Sequence, residues 1–249
     1  MVNESSPPGH MRPGEPLIDR TRVEVVGLDA DDTLWHSEVH FVDVEDRLRA
    51  LVARYAPDAD TAARLIDVER RNLAVLGYGV KAFTLSMIET AIELTDAAVP
   101  ATDIHEIVGW AKEMMAHPVE LLPGVGAAVR QLTTSYRVVI VTKGDLFHQE
   151  AKIAESGLSE LVHGVEIVSE KDEATYERVV ARFGIGADRF LMAGNSVKSD
   201  VLPVLAIGGQ AVHIPYHLTW AHELVEAAPS AYPTLDRLAD LPGYLGAGE

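Results

Sequence analysis

The chain has 249 residues, and 38 acidic side chains outnumber 21 basic ones, giving a formal net charge of −17. That balance disfavours non-specific nucleic-acid binding and attachment to anionic membranes, which both need an excess of Lys and Arg. The absence of cysteine removes disulfides, Cys-ligated metal centres and thiol nucleophiles together.

Residues 1–22 read as a flexible tail, because Ser5, Ser6, Pro7, Pro8, Gly9, Pro13, Gly14 and Pro16 suit no regular element. The tail lacks the apolar stretch of a signal peptide, and no apolar run approaches the ~20 residues that span a bilayer. A cytoplasmic location is the expectation. Val23 to Leu28 then form a short apolar run that predicts a buried strand, ending at Asp29-Ala30-Asp31-Asp32-Thr33. Similar runs recur at 137–141, 165–168, 190–193 and 210–214, with helical segments between them. Such alternation predicts an α/β fold with a parallel sheet covered on both faces. Ligands of these sheets bind at the carboxyl ends of the strands.

Between the first two strands the pattern changes. Apolar residues repeat at three and four, as in Leu48, Leu51 and Val52 or Ile104, Ile107 and Val108. Four helices are predicted: from about Val44 to Tyr55, Thr61 to Leu76 with Asp60 as N-cap, Val80 to Leu94, and Asp103 to Ala116 with Thr102 as N-cap. This stretch is too long for one crossover and predicts an inserted all-helical subdomain.

The chemistry concentrates where strands end. Asp29 and Asp31 are two residues apart and can face one reacting group. Three Asp in four residues crowd negative charge, which a bound Mg²⁺ would offset. Thr142 closes the second strand and is followed by Lys143. Lys171 follows the third, and the fourth runs into Gly194-Asn195-Ser196-Val197-Lys198-Ser199-Asp200. Each feature is weak alone; their order, one set per strand, is not.

This ordered set, Asp-x-Asp-x-Thr, Thr, Lys and Gly-Asn-Ser-x-x-x-Asp, resembles the motifs of the haloacid dehalogenase-like (HAD) hydrolase superfamily over about residues 23–214. The resemblance implies a Rossmann-like core formed by residues 23–36 and 118–249, with a helical C1 cap at 37–117. It implies Asp29 as nucleophile and Asp31 as general acid/base. Thr142 would hold a phosphoryl oxygen, and Lys171 would neutralise charge. Mg²⁺ would be bound by Asp29, Asp31, Asn195 and Asp200. Haloacid dehalogenases carry a non-acidic residue at the position of Asp31. A departing alkoxide needs a proton and a halide does not, so Asp31 points to phosphoryl transfer, and as the acid it must begin protonated.

Two positions depart from the family's pattern. Asp32 stands where glycine is common, and Asn195 where a metal-binding Asp is usual. Asn195 has two readings, a neutral metal ligand or a group that orients a metal-bound water. The candidate substrate contacts are Thr142, Lys143, Trp35, Tyr78 and Lys81. Tyr78 and Lys81 belong to the Gly77-Tyr78-Gly79 connection and the helix after it, and Lys81 is expected to meet a second anionic group. For Tyr78, packing in a helix–helix turn is the other reading. The expected activity is Mg²⁺-dependent removal of phosphate from a small phosphorylated metabolite through an aspartyl-phosphate. The alternatives are a phosphomutase and a catalytically weak phospho-ligand-binding protein.

Overall fold

Five short strands and nine α-helices make up the structure, a computed structural model that describes residues 18–225 and 232–248. Strand β1 (Val25–Leu28) is fully buried and lies at the centre of the sheet, as its unbroken apolar sequence requires. The other strands are β2 (Arg137–Lys143), β3 (Gly164–Val168), β4 (Phe190–Gly194) and β5 (Gln210–His213), and all pairings are parallel in the order β3-β2-β1-β4-β5. The register places Leu28 beside Ile140 of β2 and Ala193 of β4. Asp29 therefore emerges between the ends of β2 and β4.

Alternate residues feed two cores. Val26, Leu28, Ile140 and Leu191 pack on one face with Val129, Ile153 and Leu241. Val25, Val139, Phe190 and Met192 pack on the other with Tyr176 and Val179. Gly27 is needed between them, because a Cβ there would stand 2.6 Å from the Phe190 ring.

The insert between β1 and β2 consists of α1 (Glu38–Val52), α2 (Thr61–Leu76), α3 (Val80–Leu94) and α4 (Ala101–Met115). It has an apolar core of its own, built from Val44, Leu48, Leu65, Met87, Ile107 and Trp110. Asp60 caps α2, accepting from the Ala63 amide at 3.0 Å. The predicted cap Thr102 is instead the second residue of α4, which Pro100 precedes in extended geometry. Helix α1 starts six residues before the expected Val44, for a reason that lies in the site.

The remaining helices are α5 (Val125–Leu132), α6 (Leu146–Glu155), α7 (Glu173–Phe183), α8 (Leu202–Ala206) and α9 (Leu241–Leu245). Asp145 caps α6 and Asp172 caps α7, each accepting a backbone amide three residues on. The expected tail needs correction at its end. Ile18 is buried in the core, and the Asp19 amide donates to Gln210 Oε1 at 2.7 Å, so residues 18–22 pack on the domain. Residues 1–17 lie outside the described part. Among the described residues, no helix is long and apolar enough to cross a membrane.

Candidate active site

The turn after β1 is set by backbone bonds. The Asp29 amide donates to Ala193 O of β4 at 3.0 Å, and the amides of Thr33 and Leu34 donate to Ala30 O at 3.2 and 2.7 Å. Asp32 sits at φ 63°, in the left-handed region that favours glycine and tolerates Asp. Its carboxylate accepts the amides of Ser37 and Glu38 at 2.9 and 3.1 Å and so caps α1 early. Burial, reinforced by Asp31, pushes the Asp32 carboxyl up to about 7. The position therefore imposes a backbone requirement, and the side chain adds a cap.

Asp29 is buried and held at both oxygens. Lys171 Nζ lies 2.5 Å from Oδ1, and Thr33 Oγ1 donates to Oδ2 at 2.9 Å. Lys171 also meets Asp200 Oδ1 at 2.7 Å, while the Ser196 amide donates to Asp200 Oδ2 at 3.0 Å. A Cβ at Gly194 would overlap the Asp200 carboxylate, so glycine there lets Asp200 approach. Burial raises the Asp29 carboxyl to about 7 against the pull of Lys171. Burial also opposes the charge on Lys171, yet Asp200 and Asp29 hold the ammonium protonated well above the usual lysine range. Asn195 joins through its backbone N–H, which donates to Thr33 Oγ1 at 3.0 Å, and its side-chain Oδ1 stands 3.5 Å from the same hydroxyl.

Asp31 differs from expectation. Lys152 Nζ stands 2.5 Å from Oδ1, the Trp35 indole donates to Oδ1 at 2.7 Å, and Gln149 Nε2 donates to Oδ2 at 3.0 Å. Burial favours the neutral acid, but Lys152 and these donors outweigh it and lower the pKa. The free protein holds Asp31 ionised, not protonated. Trp35 is likewise corrected: it is fully buried and absent from the cavity wall, and its indole anchors Asp31.

Thr142 accepts from Gln149 Nε2 at 2.7 Å. Lys143 Nζ is committed to Glu223 Oε1 at 2.6 Å and Ser199 Oγ at 3.0 Å, and lies 4.2 Å from the centre of the Tyr78 ring. Tyr78 OH donates to Glu170 Oε2 at 2.6 Å, and its ring meets Trp220 edge-on. Lys81 is the second corrected contact. It is exposed, bridges both oxygens of Asp145 at 3.0 Å, and does not line the cavity. Of the expected residues, Asp29, Asp31, Thr142, Lys143, Lys171, Asn195, Asp200 and Tyr78 surround one cavity of about 180 Å³.

The family model for haloacid dehalogenase-like hydrolases matches residues 23–208. The chain belongs to the haloacid dehalogenase-like hydrolases. A haloacid dehalogenase-like family hydrolase from Xanthomonas campestris is 44% identical, with 96% of this chain and 94% of that one covered and a TM-score of 0.81. A 2-haloacid dehalogenase from Pseudomonas syringae pv. Tomato DC3000 is 19% identical, covering 90% and 98%, with a TM-score of 0.59. A predicted phosphoglycolate phosphatase from Haemophilus somnus 129PT is 14% identical, covering 90% and 98%, with a TM-score of 0.57. The last two attest the fold alone. No curated protein matches the chain.

HAD hydrolases generally use Mg²⁺, and the residues present fit it as an open site. Among the described residues no three carboxylate or imidazole groups converge as in a closed metal centre. Mg²⁺ settles for one or two carboxylates completed by water and phosphate oxygens. Asp29 and Asn195 supply such a pair of oxygens around Thr33. The carboxylates of Asp31 and Asp200, also expected as ligands, meet Lys152 and Lys171 with the Ser196 amide, just as Asp29 meets Lys171 and Thr33, and each keeps lone pairs that a cation could use.

Several cavity residues of this HAD hydrolase escaped the sequence. Gln149 and Lys152 stand three apart on α6, on one face and just after Thr142, which is a readable signal. Glu38 and Glu69 sit in the first two insert helices. Trp220 and Glu223 reach the cavity from the segment after β5, where no pattern marks them.

Proposed function

We propose that this HAD hydrolase is a Mg²⁺-dependent phosphatase acting on a small phosphorylated metabolite. The observation that carries the reading is the position of Lys171 Nζ, 2.5 Å from Asp29 Oδ1, with Asp31 facing the same cavity. A buried carboxylate partly neutralised by an ammonium is a competent nucleophile beside a dianionic ester. The Asp29 oxygen attacks phosphorus as the bond to the leaving alcohol breaks, and one hard displacement becomes two easier ones. Thr142, oriented by Gln149, offers its hydroxyl to a phosphoryl oxygen, and Lys171 offsets the charge that develops. Mg²⁺, held by Asp29 and Asn195, would supply further neutralising charge.

Asp31 serves both steps. Its ionised form is the base that takes a proton from the water attacking the aspartyl-phosphate. For the first step Asp31 takes up a proton from solvent as the ester binds and gives it to the leaving oxygen, which departs as the alcohol. The incoming dianion competes for Lys152, loosens its hold on Asp31 and raises that pKa. The helical insert, residues 37–117, acts as a cap that presents Tyr78 and its neighbours to the leaving group.

Phosphate release from a panel of phosphomonoesters with Mg²⁺ tests the reading, with Asp29→Asn as the blank. Equal inactivity of wild type and Asp29→Asn would overturn it, as would halide release from 2-chloropropionate without phosphatase activity. Return of the phosphoryl group to substrate, with no free phosphate, would identify a mutase instead.

A further inference from the structure

The cavity is divided in charge. Its lysines, Lys143, Lys152 and Lys171, all stand at the sheet end. The wall formed by α1, α2 and α3 contributes no lysine or arginine, since Lys81 turns away to Asp145. That wall presents two carboxylates instead, Glu38 from the start of α1 and Glu69 from the middle of α2. Glu69 is only 6% exposed.

Neither carboxylate meets a lysine or arginine among the described residues. The groups facing Glu69 are the Trp220 indole and, at 3.5 Å, His222 Nε2. Burial keeps that imidazole below the usual histidine range, and its Nε2 makes no hydrogen bond. The charged neighbours are acidic as well: Asp32 and Glu45 face Glu38, and Glu45 faces Glu69. Burial, with those neighbours, raises both carboxyls to about 8. An unpaired buried carboxylate is costly, and a cation placed beside it removes the cost. The same part of the cavity is lined by Phe41, Phe83, Tyr78 and Trp220. Aromatic faces next to carboxylates suit an organic ammonium. A metal ion takes oxygen ligands and would leave the aromatic faces without a part. A second anion would find no lysine or arginine on this wall and would press both carboxyls further towards the neutral acid.

We propose that the substrate's leaving group carries an organic ammonium, recognised by Glu69 and Glu38 at the insert end of the cavity. This rests on the phosphatase reading for the identity of the other end of the molecule. The test compares short aminoalkyl phosphates of increasing length with n-alkyl phosphates of equal length and with phosphoglycolate. Calorimetric dissociation constants on Asp29→Asn protein with Mg²⁺ make the comparison independent of turnover. The best-fitting aminoalkyl ester should bind about tenfold more tightly than its alkyl counterpart, a modest return for one desolvated charge pair. Phosphoglycolate should bind more weakly than either. Adding Glu69→Gln, or separately Glu38→Gln, should bring the aminoalkyl-to-alkyl ratio towards one; two variants are used so that a folding defect in one does not decide the test. A ratio near one at every length in Asp29→Asn, or tightest binding by phosphoglycolate, overturns the inference. Phosphate release by wild type is scored separately: preferential binding without release of phosphate from any ester overturns the phosphatase reading and leaves the ammonium subsite standing.

Discussion

Lys171 and Asp200 form a buried ion pair, 2.7 Å from Nζ to Oδ1, that fixes the ammonium against Asp29. Both side chains are almost wholly shielded from water, so neither can lose its partner cheaply. Lys171→Met leaves Asp29 and Asp200 as buried carboxylates without a counter-ion and should cost about 3–5 kcal/mol. The sign with pH is determined by the carboxyls. Burial already raises the Asp29 carboxyl to about 7, and without Lys171 it rises further, so the added cost is small at low pH and grows as pH climbs. Denaturant melts should show the larger loss at about pH 8 and the smaller at about pH 5. Equal losses at both would mean that Lys171 acts only through packing.

Lys152 stands 2.5 Å from Asp31 and is the leading influence that lowers its pKa against burial. Lys152→Met should therefore raise the Asp31 pKa. If Asp31 deprotonates the attacking water, the acid limb of the kcat profile marks its ionisation. That limb should move to higher pH by about one unit or more, in keeping with the loss of a close opposite charge. Gln149→Ala removes a neutral donor and should move the limb less. A limb unmoved by Lys152→Met would remove Asp31 from the role of base.

Asp32 combines a left-handed backbone, φ 63°, with a cap on α1. Asp32→Asn keeps both the tolerance for that backbone and the acceptor oxygen. Asp32→Gly keeps the backbone but loses the cap, worth about 0.5–2 kcal/mol. Asp32→Ala loses the cap and adds the left-handed penalty, about 1–2 kcal/mol. Thermal melts should rank the variants Asn, Gly, Ala from most to least stable. Because burial raises the Asp32 carboxyl to about 7, the wild type loses stability as pH rises from about 4, the unfolded value, to about 7. Asp32→Asn has no such loss and should gain on wild type between about pH 4 and pH 7, holding the full gain above that.

The contrast between Asp29 and Asp32 shows what the sequence could and could not disclose. Asp29 was legible because an apolar run delivers it to a strand end, where position alone implies a role. Asp32 needed a dihedral angle and two amides five and six residues further on. The sheet was readable for the same reason as Asp29: buried parallel strands leave unbroken Val, Ile and Leu runs. Trp35 and Lys81 were misplaced because residue type and proximity to a motif do not give side-chain direction. Trp35 turns under Asp31, and Lys81 is captured by the cap residue of α6. Glu223 and Lys143 meet across 80 residues, a contact that local patterning cannot encode.

Tyr78 ties the insert to the core. Its hydroxyl donates to Glu170 Oε2 at 2.6 Å, and its ring lies between Lys143 and Trp220. Tyr78→Phe removes a hydrogen bond to a charged acceptor, worth about 1.5–3 kcal/mol, and leaves the ring in place. The insert's apolar core is separate from those on the two faces of the sheet, so the loss should fall on the position of the insert over the cavity and not on folding. The expected result is a melting temperature close to wild type with KM raised about tenfold. Tyr78→Ala also removes the ring from Lys143 and should lower kcat as well. Unchanged KM in Tyr78→Phe would show that the hydroxyl has no part in holding the insert over bound substrate.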